Sequence, residues 1–142
     1  QKDTAGVLTN SRKILELAPD DWASKTNVYY LESLLQTNPN ADPERYEALV
    51  EGSPGTISHS GYAFALWRNG QFEQAAEQFE QVDPRFLEIA ACRLVGALVA
   101  YDNQSITKAR DLYSKIDPED LYPEEAQLLK ALSARLADHP EI

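Results

Sequence analysis

The chain has 142 residues, a formal charge of −10 and a 43% apolar share, a balance ordinary for one folded domain able to bury most of its apolar surface. That acidity repels phosphate, and Arg12-Lys13 is the only adjacent basic pair, so a nucleic-acid role has no basic stripe to rest on. A single cysteine, Cys92, excludes an internal disulfide and a multi-cysteine zinc site.

Cys92 lies in an apolar helical stretch and reads as a buried, inert thiol. The acidic surface reads as solvated, with basic partners favoured. The chain opens on Gln1 and has no methionine, which suggests a processed product cut from a larger protein. The longest apolar run, Leu94 to Tyr101, falls far short of the roughly 20 residues that span a bilayer. A soluble segment is expected, cytoplasmic or periplasmic, with no direct membrane insertion.

Residues 1–8 are polar and small with little period, and a frayed start is expected. From Thr9 or Asn10 a helix carries Ile14, Leu15 and Leu17 and stops before Pro19. Asp20 or Asp21 caps a second helix to about Gln36, whose Trp22, Thr26, Tyr29, Tyr30 and Ser33 share one face. Thr37 to Pro43 predicts a turn in which Asp42 caps and Pro43 opens a short helix to about Glu51, with Tyr46 and Leu49 or Val50 inward. Gly52-Ser53-Pro54-Gly55 breaks it. A helix from Thr56 or Ile57 to Asn69 then turns at Gly70 into a partner, Phe72 to Val82.

Asp83-Pro84 launches a helix to about Tyr101, apolar around most of its circumference and therefore central. Asn103 turns the chain, Ser105 to Lys115 returns it, and Asp117-Pro118 closes the unit. Tyr122-Pro123 starts the last helix, with a stripe of Leu128, Leu129, Leu132 and Leu136. Strand signals are absent.

One spacing organises all of this. Ala75, Phe79, Val82, Asp83 and Pro84 recur 34 residues on as Ala109, Tyr113, Ile116, Asp117 and Pro118. Self-similarity at that period marks stacked helix-turn-helix units. Small residues let helix axes approach closely while rings fill the space beside them.

On these residues the chain resembles the tetratricopeptide repeat (TPR) family. In the best unit Ala63 takes the first small crossing position, Leu66 the usual Tyr position, Gly70 the turn, Phe72 an aromatic position, Ala75 the second small position and Phe79 the third aromatic. The next unit offers Ala97, Ala100, Gln104, Ile106, Ala109 and Tyr113, and Ala63, Ala97 and Ala131 form a ladder at one period. Trp22 and Tyr29 stand seven apart, as the family's Trp and Tyr do, but the unit that follows them is a looser match. The resemblance implies an all-α, right-handed α-solenoid of antiparallel helix pairs. Residues 9–142 then form one domain, with divergent units over 9–55, well-matched units 56–89 and 90–123, and a final helix over 123–137.

Catalytic ingredients are few. Neighbouring helical residues point about 100° apart, so His59 and Ser60 cannot share a proton in line. His139 sits near the C-terminus. Glu119-Asp120 and Glu124-Glu125 read as acids favoured by a helix N-terminus, and no Gly-rich phosphate loop is present. No enzyme, cofactor or metal site is expected.

The resemblance implies a groove lined by the first helix of each unit. The carried-over positions are Ile57, Ser60, Phe64, Trp67 and Arg68, then Ala91, Leu94, Leu98, Tyr101 and Asp102. Family members that clamp a terminal carboxylate use Lys and Asn on this face, which these positions lack. The groove is apolar, and it suits an amphipathic partner helix or the protein's own N-terminal helices. The expected function is a non-catalytic protein-protein interaction module, a scaffold or adaptor that binds a partner's peptide or helix. The alternative is a structural or oligomerising segment of a larger, possibly envelope-associated assembly, since the leucine stripe of the last helix needs a cover.

Overall fold

The computed structural model describes residues 3–35, 43–52 and 58–139, and among them there are no strands. Eight α-helices among the described residues pack in pairs: α1 (Thr4–Leu17), α2 (Trp22–Leu35), α3 (Glu47–Gly52), α4 (Ser58–Arg68), α5 (Phe72–Phe79), α6 (Ala90–Asp102), α7 (Ile106–Ser114) and α8 (Pro123–Ala137). Three 3-10 turns, Pro43–Tyr46, Pro84–Glu88 and Pro118–Asp120, sit before α3, α6 and α8. The expected turn at 37–42, with its Asp42 cap, and the break at 53–55 lie outside the described residues.

Residues 3–8 depart from the expected frayed segment. Asp3 caps α1 by accepting from the Gly6 amide at 3.1 Å, and Thr4 and Leu8 are buried. A cap followed by small residues shows little periodicity, although the cap satisfies an amide that the helix start leaves open. Asp21 does the same for α2, accepting from Ser24 N at 3.1 Å.

The two well-matched hairpins repeat down to single hydrogen bonds. Gly70 and Gln104 both hold positive φ, 76° and 65°. Around them Gln71 N donates to Leu66 O at 2.9 Å and Ser105 N to Ala100 O at 2.8 Å. Asn69 Nδ2 donates to Ala65 O and Asn103 Nδ2 to Val99 O, each at 2.9 Å. At the exits, Asp83 accepts from Arg85 N and Asp117 from Glu119 N, each at 3.0 Å.

The Asp-Pro signals start 3-10 turns rather than the continuous helix expected from Pro84 to Tyr101. Ile89 (φ −84°, ψ 124°) interrupts the first, and Leu121 (φ −101°, ψ 153°) follows the second. Such turns close at three residues, with Ile89 N donating to Phe86 O at 3.0 Å, and extended backbone, Ile89 alone after the first and Leu121 with Tyr122 after the second, then re-aims the chain. A single-residue interruption leaves apolar spacing nearly intact, so periodicity alone reads through it.

Ala63, Ala75, Ala97 and Ala109 are each 0% exposed, and α4 packs on α5 as α6 packs on α7. The ladder ends there: Ala131 and Ala134 are exposed. Among the described residues no helix follows α8 to cover them. Conversely, the leucine stripe expected to need a cover is used inside the chain. Leu129, Leu132 and Leu136 are buried in the main apolar cluster and Leu128 packs against it. The outer face of α8 carries Gln127, Lys130, Ala131 and Ala134.

α2, α4, α6 and α8 stand side by side in that order, and α2 also packs against α8. Units that are not neighbours therefore touch, which an extended stack does not do.

Candidate functional site

The inner face of this arrangement gathers the groove positions, apart from Ile57, which lies outside the described residues. Ser60 and Phe64 on α4 and Leu94 and Leu98 on α6 are all at most 4% exposed. These four are therefore core in the closed chain and not an open groove. Their cover comes from α2 and α8: the Tyr30 ring lies 5.3 Å from Phe64, and Leu31, Leu129 and Leu132 share the cluster with Leu94 and Leu98.

The half-buried positions at the other end of the face are tied to one another. Trp67 Nε1 donates to Asp102 Oδ2 at 2.6 Å, and Arg135 donates to Asp102 Oδ1 at 2.6 Å. The Arg135 guanidinium lies 4.1 Å from the centre of the Tyr101 ring. Arg68 donates to Leu34 O at 3.1 Å and sits 5.2 Å from the Phe64 ring. Trp67, Tyr101 and Arg135 follow one another at intervals of 34 residues. Trp67 and Tyr101, two of the groove positions, thus link α4, α6 and α8.

What the inner face leaves open is a cavity of about 380 Å³ between the N-terminal halves of α2, α4, α6 and α8, where Ala91 stands. Its walls include Trp22, Tyr30, Cys92, Tyr122 and Glu125. Glu125 is only 1% exposed. It accepts from the Tyr122 backbone N–H at 2.8 Å and from the Tyr30 hydroxyl. Next to it Thr4 donates to Glu124, so both α1 and α2 are fastened to the start of α8. Glu124 and Glu125 act across the molecule, beyond the local role at a helix N-terminus that their spacing suggests.

Burial, then the charge of Glu125, holds the Tyr30 phenol well above its usual range. Burial also pushes the Cys92 thiol up to about 11, against a hydrogen bond from Ser60 that lowers it. The thiol therefore stays protonated at neutral pH and is a poor nucleophile. His59 Nδ1 meets Gln78 Oε1 at 2.9 Å on α5, while Ser60 faces Cys92 on α6. The adjacent pair is directed to different neighbours, His59 to α5 and Ser60 to α6. Among the described residues no group of three or more His, Cys, Asp or Glu is placed to hold a metal ion, and no helix is long and apolar enough to cross a membrane.

Sequence spacing missed Tyr30 and Glu125 as partners because 95 residues separate them. The available signal was weak: a Glu three residues after a helix cap, on a face that also carries apolar residues. Compared with family models, with curated proteins and with solved structures, the chain matches none.

Proposed function

We propose that the chain is a non-catalytic binding module built of TPR-type helix pairs, a scaffold or adaptor that engages a peptide or helix of a partner protein. The observation that carries this is the repetition of one hairpin at 34 residues, down to Asn69 on Ala65 and Asn103 on Val99. Equivalent hairpins set side by side present equivalent first helices to one face, and that face is the natural surface for another chain. In a right-handed solenoid it would be an open trough. Here the contact of α2 with α8 narrows it to the cavity and its mouth. The separation of His59 from Ser60 supports a role in binding over one in chemistry.

Ala91, half-buried, lines both the cavity and its mouth. Random peptides displayed and selected on the immobilised chain should yield binders that lose about tenfold or more in affinity on Ala91→Trp. Enrichment no better than on a blank surface overturns the proposal. So does equal binding to a variant whose circular dichroism and melting match the parent's.

A self-associating structural role is the second reading, favoured by Ile14 and Leu17 on α1, 54% and 88% exposed. Sedimentation equilibrium separates the two: a monomer at ~1 mM, a concentration at which even a Kd near 1 mM shows, sinks this second reading.

A further inference from the structure

We infer that the cavity between α2, α4, α6 and α8 takes an uncharged aromatic ring, as a free arene or as the side chain of a bound peptide. The cavity carries this by itself, whether or not the partner proposed above is a peptide.

Small residues make the room. Ala23 on α2, Gly61 on α4 and Ala91 on α6 line a space of about 380 Å³. Close-packed interiors leave few voids larger than a water molecule, whereas ligand sites run from roughly 300 to 1,000 Å³. An apolar cavity of about 150 Å³ already holds benzene, so this one has room for a ring with a substituent.

The polar groups of the wall are already engaged. Glu125 accepts from the Tyr122 backbone N–H and the Tyr30 hydroxyl and has a further interaction besides. The Thr26 hydroxyl donates to Trp22 O at 3.0 Å, Asn27 Nδ2 donates to Ser11 Oγ at 3.1 Å, and Ser60 bonds to Cys92. Glu125, Cys92 and Ser60 are at most 4% exposed, so an occupant takes almost no water from them. Apart from Asn27, the wall residues that keep appreciable exposure are three aromatic and two methyl side chains: Trp22, Tyr30, Tyr122, Ala23 and Ala91.

Charge excludes both kinds of ion. An anion would stand beside Glu125 with no Lys or Arg among the described wall residues. A cation would find both carboxylate oxygens already accepting and would lose its hydration without replacement. A neutral group meets neither obstacle. Among neutral groups an aromatic ring gains most, because ring meets ring in offset or edge-to-face arrangements that add to the burial of area.

Four probes of similar size separate these chemistries: benzyl alcohol, its saturated counterpart cyclohexylmethanol, benzylammonium and benzoate. Each is titrated into the 15N-labelled chain while the indole N–H signals of Trp22, a wall residue, and Trp67, outside the cavity, are followed. Benzyl alcohol should move the Trp22 signal saturably with a Kd of about 1 mM or tighter and leave Trp67 in place. It should bind about threefold tighter than cyclohexylmethanol and about tenfold tighter than either ion. Its affinity should not fall between ~0.05 and ~0.5 M salt, since no charge pair holds it. Ala23→Phe and Ala91→Phe, on α2 and α6, should each weaken it about fivefold or more, in chains whose circular dichroism matches the parent's.

The probe series on the unaltered chain decides even where a variant fails to fold. No saturable shift of Trp22, equal or tighter binding of the saturated alcohol or of either ion, affinity lost with salt, or full binding retained in both folded variants overturns the inference. Ac-Gly-Phe-Gly-NH2 beside Ac-Gly-Ala-Gly-NH2 then finds the source of the ring. A phenylalanine peptide tighter than benzyl alcohol assigns it to a partner chain, and a weaker one assigns it to a free arene. If benzyl alcohol does not bind while library-selected peptides are still lost on Ala91→Trp, this inference falls and the proposed function stands; arene binding with no peptide enriched gives the reverse.

Discussion

Gly70 and Gln104 occupy one backbone conformation, φ 76° and 65°, at the same place in two hairpins. A side chain in the left-handed region costs roughly 1–2 kcal/mol, which glycine avoids. Gly70→Ala should therefore lower stability by about 1 kcal/mol and Gln104→Gly should raise it by up to about 1 kcal/mol, read from urea midpoints at constant m. Matching signs would show that the two turns are not equivalent. Cys92 gives a pH signature. Its folded thiol is raised from 9.0 to about 11, so between those values the unfolded chain releases a proton that the folded chain keeps. Stability is complete below pH 9, falls as pH rises through that window, and levels above about 11, a loss on the order of 2 kcal/mol. Tyr30, raised mainly by burial, adds to the fall above pH 10. Urea midpoints at pH 8 and 10.5 check this, and Cys92→Ala should flatten the slope in the lower half of the window.

At the scale of elements, α4, α6 and α8 are joined at one end by Asp102, which takes Trp67 on one oxygen and Arg135 on the other. Removing a shared acceptor strands two donors at once. Asp102→Ala should cost about 1–3 kcal/mol, and a cycle with Trp67→Phe should give a coupling of about 0.5 kcal/mol or more. Additive single effects would show that the bridge contributes nothing beyond its parts. The crossing alanines act between elements too. At Ala63 and Ala97 a partner helix lies against the methyl, and larger side chains would force the axes apart. On α8 the corresponding Ala131 faces solvent, so the same residue type at the same spacing carries no packing role there.

At the scale of the molecule, the fastening of α1 and α2 to α8 through Thr4 to Glu124 and Tyr30 to Glu125 couples the first helices to the last. A stack of independent pairs can fray from its ends, whereas contact between its ends favours one cooperative transition. Tyr30→Phe takes a donor from a buried carboxylate and should destabilise by about 1–3 kcal/mol. In native-state hydrogen exchange α1 and α2 should then lose protection before α6 and α7. Uniform loss across all helices would show that Tyr30 supports the core generally rather than holding the two ends together.

The helix pairs, their turns and the buried alanines were legible in the residues. A left-handed turn, an Asp cap and a close helix crossing are each specified within a few positions, and the 34-residue spacing copies them. Tertiary structure decided which faces remain open. Whether α2 meets α8 depends on small rotations summed over every intervening hairpin, and no local preference encodes that sum. The faces of α4 and α6 that read as a groove in the sequence are therefore covered by α2 and α8 in the fold, with Phe64 and Leu94 turned from binding positions into core.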